Sequence, residues 1–207
     1  MTMAARKSRS AKPTPRHGAV ARRTRETDVD VALGLEGGQV RAETGVPFFD
    51  HMLDQLGRHG GLSLTVKAAG DLHVDAHHTV EDVGIAIGEA LRQATADKAG
   101  LARYGHAVVP LDEALVEAVV DLSGRPHLTW NAKLPSGKRF IGAYDVDLTQ
   151  DFFQALVNHA RITLHVNVRQ GRNLHHVVEA IFKATARALR AALRREGEGI
   201  PSTKGVL

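Results

Sequence analysis

The chain predicts an α+β fold of two duplicated halves, each a β-sheet with helices packed on one face. Three observations predict it. Short stretches alternate apolar and polar residues, longer ones repeat apolar residues at helical spacing, and one order of such elements occurs twice in the 207 residues.

From Thr27, "TDVDVALGLEGG" alternates and stops at a Gly pair, which reads as a strand entering a turn, with "QVRAET" as its hairpin return. A helix is expected after Pro47, where "FFDHMLDQLGRHG" sets Phe48, Met52, Leu53 and Leu56 at helical spacing and closes at Gly60. "LSLTVKAAG" and "LHVDA" alternate as strands. A longer helix then carries Val80, Val83, Ile87 and Leu91 on one face, with Gly100 as its stop. In the second half "ALVEAVVDLSG" and "PHLTWNAKL" read as strands, "DFFQALVNHA" as a short helix, "ITLHVNVRQG" as a strand and turn, and "HHVVEAIFKATARALRAALRRE" as a long helix. Setting "FFDHMLDQLGRHGGLSLTV…HHTVE" beside "FFQALVNHARITLHV…HHVVE" shows the repeat. The expected division is a disordered basic tail at 1–21, halves at 22–105 and 106–195, and a C-terminal tail at 196–207.

Composition narrows the chemistry. There is no cysteine, so disulfides and thiolate metal sites are excluded and any metal must be held by imidazole and carboxylate, with twelve histidines to choose from. Lys and Arg total 27 against 23 Asp and Glu, yet eight of the cations fall in the first 25 residues, which leaves the remainder mildly acidic. That basic start has no interleaved aromatics and reads as a solvated tail rather than a nucleic-acid arm. No run is apolar enough for a signal peptide or membrane span, so a soluble cytoplasmic protein is expected.

"DAHHTVED" and "NLHHVVEA" each hold His-His-x-x-Glu at the start of a predicted helix. Positions three or four apart share a helix face, so Glu81 can converge with His77 or His78 on one ion while the other His reaches a second. Glu179 stands in the same relation to His175 and His176. If the two helices meet, each can give one ion a His and a Glu and lend the other ion its spare His. A further ligand can come from each short upstream helix, His51 in the first half and Asp151 in the second, although a carboxylate at 151 also suits a helix N-cap. Mixed imidazole and carboxylate favour manganese or iron(II), with zinc possible. Halves related on a common sheet are expected to put equivalent helix starts at opposite ends, so that a neighbouring subunit must supply the complementary one.

Arg103, Arg125, Lys183 and the "PSTKG" segment with Ser202, Thr203 and Lys204 form a second constellation, suited to gripping an anionic group. No Gly-rich nucleotide loop and no Gly-x-Ser-x-Gly nucleophile is present. A metal-storing shell would share the His and Glu clusters but would have no use for the basic constellation.

"RRTRET", "GVPFFDHMLDQLGRHG", "HHTVED", "DLSGRP", "HHVVEAIFKATARAL" and "PSTKG" resemble, in order and spacing, the imidazoleglycerol-phosphate dehydratase family, from about Arg22 to Leu207. The resemblance implies halves of the ribosomal protein S5 domain 2 type, assembled into a large symmetric homo-oligomer, a 24-mer built from trimers with active sites at subunit interfaces. It implies dehydration of a small phosphate ester in histidine biosynthesis, with two Mn(2+) per active site and no nucleic-acid or membrane partner. Metal roles fall on His51, His77, His78, Glu81, Asp151, His175, His176 and Glu179. Substrate contacts fall on Glu26, His51, Gln55, His59, Arg103, Arg125, Lys183, Ser202, Thr203 and Lys204. Glu26, beside the site without competing for metal, is the expected acid or base, with the ligands of the two His-His helices sharing in catalysis.

Overall fold

The computed structural model describes residues 16–135, 137 and 139–205. The first half runs β1 (His17–Arg23), β2 (Thr27–Gly34), β3 (Val40–Glu43), α1 (Pro47–Gly60), β4 (Ser63–Gly70) and α2 (His77–Thr95). The second runs β5 (Tyr104–Leu111), β6 (Ala114–Asp121), β7 (His127–Asn131), a two-stranded insertion of β8 (Phe140–Ile141) and β9 (Tyr144–Asp145), then α3 (Leu148–Ala160), β10 (Thr163–Gln170) and α4 (Leu174–Ala192). The sheets have the orders β1-β2-β4-β3 and β5-β6-β10-β7. In each, the first two junctions are antiparallel and the last is parallel, so the duplication extends to topology.

Strict alternation puts one face of each sheet in the core: Val29, Val31 and Leu33 on β2, and Ala114, Val116, Ala118 and Val120 on β6 are buried while their neighbours are more exposed. Helices cover those faces, α2 on β1 and β2, α4 on β5 and β6. The halves meet helix to helix, α1 on α4 and α2 on α3. Both strand–helix approaches are set by glycine. A Cβ on Gly18 of β1 would lie 2.1 Å from the Ala90 carbonyl oxygen of α2, and one on Gly105 of β5 would lie 1.8 Å from that of Ala188 in α4. Between the halves Phe49, Tyr144, Phe152, Phe153 and Phe182 stack into a buried aromatic core, with ring centroids 5.3 Å apart for Phe49–Phe152 and 4.9 Å for Phe153–Phe182.

All four helices point the same way. Phe48 at the start of α1 packs on His175 at the start of α4, and Gly60 and Gly61 at its end lie against Ala186 and Arg190. His77 faces Asp151 at the start of the α2–α3 pair, and Gly88 lies against Leu156 and Ala160 further along it. The Phe49–Phe152 contact joins the two pairs at their N-terminal ends. The expectation of helix starts at opposite ends is therefore corrected: there are two sheets, not one, and all starts share an end.

Five further expectations change. "QVRAET" does not return beside β2; β4 takes that edge, and β3 pairs with β4 in parallel. "LHVDA" is a turn, because Asp71 bends the chain toward α2 with Val74 N–H donating to its carbonyl, leaving Leu72 and Val74 exposed with no edge to join. α2 ends at Thr95, before Gly100; the Thr95 hydroxyl donates back to the Leu91 carbonyl, and Ala96 and Lys98 take positive φ. Residues 17–21, expected in a disordered tail, belong to β1, pinned by its pairing with β2; residues 1–15 lie outside the described residues. The expected boundary at 105/106 falls inside β5.

Candidate metal and substrate site

The shared helix ends concentrate the candidate His and Glu ligands. His51 Nε2 lies 3.5 Å from Glu179 Oε2, and His175 Nε2 lies 3.1 Å from the same oxygen. Ligand atoms of these three residues lie within 4.8 Å of one another, close enough for one cation. The second cluster is its counterpart across the repeat: His77 Nδ1 lies 3.5 Å from Asp151 Oδ2. Each upstream-helix ligand thus serves the other half, His51 meeting α4 and Asp151 meeting α2. Asp151 is not an N-cap, since α3 begins at Leu148. Glu81 is exposed and makes no hydrogen bond or ion pair among the described residues.

The outer histidine of each doublet turns to its own half. His78 Nδ1 is 3.0 Å from Asp71 and 3.7 Å from Glu26. His176 Nδ1 is 2.9 Å from Glu113 and 3.9 Å from Asp112. Four helix N-termini carry partial positive charge here, which by itself opposes a cation; Glu26, Asp71, Asp112, Glu113, Asp151 and Glu179 reverse that field. The His176 ring and then the Asn173 backbone N–H hold Glu113 down to about 2, while the Asp71 carboxylate raises His78. Burial pushes Glu179 up, but the Lys183 ammonium at 2.6 Å and the nearby His51 and His175 outweigh it and hold the carboxylate below its ordinary value.

Lys183 therefore sits at the metal-ligand end, with His59 nearby, whose pKa is lowered by burial and then by Lys183 and Arg187. Gln55 lies on the same α1 face as His51 and His59, four residues from each.

The other basic residues are elsewhere. Arg103 pairs with Asp121 at 2.8 Å, donates to the Pro201 carbonyl at 2.8 Å and lies over the Tyr104 ring at 4.7 Å. This ties the terminal segment to the start of β5, while Gly100 N–H donates to the Gly199 carbonyl. Ser202 Oγ accepts the Lys204 backbone N–H, and Thr203 and Lys204 are exposed. Arg125, exposed just beyond β6, donates to the Ser123 carbonyl. All of this lies at the C-terminal helix ends, since Arg103 N–H bonds the Ala192 carbonyl. From His176 to Ala192 along α4 is about 24 Å at 1.5 Å per residue. β5, which lies between Arg103 beside Asp121 and Asp112 beside His176, itself spans about 23 Å. The expectation that Arg103, Arg125 and "PSTKG" converge beside the metal ligands is therefore not met within one chain.

Sequence reasoning missed Asp71, Glu113 and Lys98. The two carboxylates occupy different loops of the two halves, so the repeat could not reveal them. Lys98 is only 6% exposed, and burial lowers its pKa against the pull of Asp121.

Two duplicated sheet-and-helix halves, with imidazole–carboxylate clusters at one end of the helices and basic residues at the other, make this an α+β protein. The family model for imidazoleglycerol-phosphate dehydratase matches residues 44–189. An imidazoleglycerol-phosphate dehydratase of Anaeromyxobacter dehalogenans is 78% identical over 204 residues, covering 99% of this chain and 98% of that protein. One of Bordetella petrii is 57% identical over 196 residues, 93% of this chain and 100% of its own length. Among solved structures, the enzyme of Staphylococcus aureus matches with a TM-score of 0.79 and 40% identity over 87% of this chain and 99% of that one. That of Pyrococcus furiosus matches with a TM-score of 0.79 and 37% identity over 91% and 100%. The chain belongs to the imidazoleglycerol-phosphate dehydratase family.

Proposed function

We propose that the chain dehydrates D-erythro-1-(imidazol-4-yl)glycerol 3-phosphate to 3-(imidazol-4-yl)-2-oxopropyl phosphate, a step of histidine biosynthesis in the cytoplasm, with two manganese ions per site. The donor set fits such ions: His51, His175 and Glu179 converge without thiolate, and His77 with Asp151 offers a second imidazole–carboxylate pair. Bound metal would supply Lewis acidity toward the imidazole ring, making the adjacent hydroxyl easier to expel. The reaction loses that hydroxyl as water together with a proton from the next carbon, and the resulting enol becomes the ketone. Glu26 is exposed beside His78, its carboxylate has no other ion pair or hydrogen bond among the described residues, and it would move that proton. Arg103, Arg125, Ser202, Thr203 and Lys204 would hold the phosphate.

The observation that carries the assembly part of the reading is the separation of the two constellations. The substrate spans about eight bonds from ring nitrogen to phosphate oxygen, roughly 10 Å at the extension chains reach. A gap of about 24 Å cannot be bridged, so one copy's helix starts and another copy's Arg103 and tail must form each site. The outer histidines, facing away from the His51 and Asp151 clusters, suit ions shared with a neighbour. This reading calls for a symmetric homo-oligomer, which we take to be a 24-subunit shell of trimers. The test is turnover of the phosphate ester by metal-stripped protein resupplied singly with Mn, Fe, Zn or Mg. Activity restored by manganese supports the reading, and no restoration by any of the four overturns it.

A further inference from the structure

Each outer histidine has its Nδ1 against a carboxylate: His78 against Asp71 at 3.0 Å and His176 against Glu113 at 2.9 Å. A carboxylate only accepts, so Nδ1 carries the proton, and in the neutral ring Nε2 keeps its lone pair. For His176 the assignment is fixed from both sides. Asn173 accepts the His175 N–H with Oδ1, so its amide nitrogen is the atom 3.4 Å from His176 Nε2, and a donor there requires an accepting ring nitrogen. Asp71 Oδ1 is buried and has no partner among the described residues, while its other side-chain oxygen serves His78, and the two residues stand with Glu26 close enough to share a cation. A buried carboxylate oxygen without a partner costs stability, which argues that something other than the fold keeps it there.

We propose that Glu113 and Asp71 are positioning residues that lock His176 and His78 in the tautomer whose Nε2 can bind a metal ion; this rests on the metal reading above. The two halves solve one problem with unrelated loops. Asp71 follows β4, whereas Glu113 sits in the β5–β6 turn.

The two carboxylates differ in a way that makes the idea testable. Glu113 Oε1 also accepts the backbone N–H of Arg172 at 3.2 Å and of Asn173 at 2.7 Å. In Glu113→Gln those donors keep the amide oxygen in place, so the NH2 group must face His176 Nδ1. That favours the wrong tautomer without breaking the loop. In Asp71→Asn no donor holds the buried oxygen, so the amide can turn its oxygen to His78 and preserve the ligating form.

The experiment titrates manganese into the metal-stripped full chain and reads affinity and stoichiometry by calorimetry and by the Mn(2+) electron paramagnetic resonance signal. E113Q should weaken one class of site by about 10- to 100-fold, and D71N by only a few fold, with Asp71→Ala as weak as E113Q. The metal-free melting temperature of E113Q should match that of the unaltered chain. Manganese affinity of E113Q within twofold of the unaltered chain overturns the positioning role alone. A large drop in metal-free melting makes Glu113 a brace of the fold and overturns its assignment. Absence of tight manganese binding by the unaltered chain overturns the metal reading and this proposal with it.

Discussion

A chain carrying Glu179→Gln and a second carrying Arg125→Ala fail at opposite ends of the same helices. Glu179 closes the His51–His175 cluster, and Arg125 lies beyond β6 near the terminal segment. Losing a metal ligand should lower activity at least as much as losing its supporting shell, 10- to 100-fold or more. Losing one charge-assisted phosphate contact costs about 1.5–3 kcal/mol, roughly 10- to 150-fold in kcat/KM. Each pure variant is then nearly inactive. About 20 Å along α4 separates the two groups in one chain, so on the shared-site reading each site would draw Glu179 from one subunit and Arg125 from another. In oligomers mixed randomly at equal proportions, about half of the sites receive an intact Glu179. About half of those also receive an intact Arg125, so about a quarter of sites carry no lesion. The assay is co-expression with two affinity tags, tandem purification, confirmation of mixing by native mass spectrometry, and kcat/KM per chain. Recovery near a quarter of unaltered activity is expected. Activity no higher than the mean of the two parents in verified mixtures would refute the division of the site.

Removal of residues 202–207 should raise KM or lower kcat/KM by about 2–4 kcal/mol, since Ser202 and Lys204 would both cease to hold phosphate, while bound manganese measured by elemental analysis stays unchanged. Gly105→Ala places a Cβ 1.8 Å from the Ala188 carbonyl oxygen, so the β5–α4 contact must open; a loss of about 1–3 kcal/mol or more is expected in urea unfolding, with a similar loss for Gly18→Ala. Chelation should dissociate the assembly into smaller, trimeric units that manganese rebuilds, because ions bound only by assembled subunits stabilise assembly by mass action. Light scattering before and after verified metal removal decides it, and a particle of unchanged size refutes the linkage.

The fold was legible wherever periodicity met a buried face. β2 and β6 alternate because one side rests on helices, and the two His-His-x-x-Glu helices begin at their first histidine or one residue before it. Legibility failed where pairing partners decide structure. "LHVDA" alternates like a strand but has no edge to join, and β3 lies beside a strand twenty residues later rather than beside the one it follows. β1 was hidden because its sequence, "HGAVARR", carries only a short apolar run and relies on β2 for its hydrogen bonds.

For the site, residue type and spacing picked out candidate ligands but not their grouping, since spacing along one helix says nothing of which helix lies opposite. Only the parallel packing of α1 on α4 and α2 on α3 joins His51 to Glu179 and His77 to Asp151. The same packing explains the charge layout. With four helices aligned, one end of the layer gathers four positive dipole termini and the other four negative ones. Carboxylates at the first end make it receptive to a cation, and Lys98, Arg103, Arg161 and Arg190 occupy the second, where the dipoles favour them. A chain built this way presents complementary chemistry at its two ends but cannot bring them together itself. On the shared-site reading, a second copy set with its basic end against the first copy's histidines would close both the electrostatic imbalance and the gap in the site.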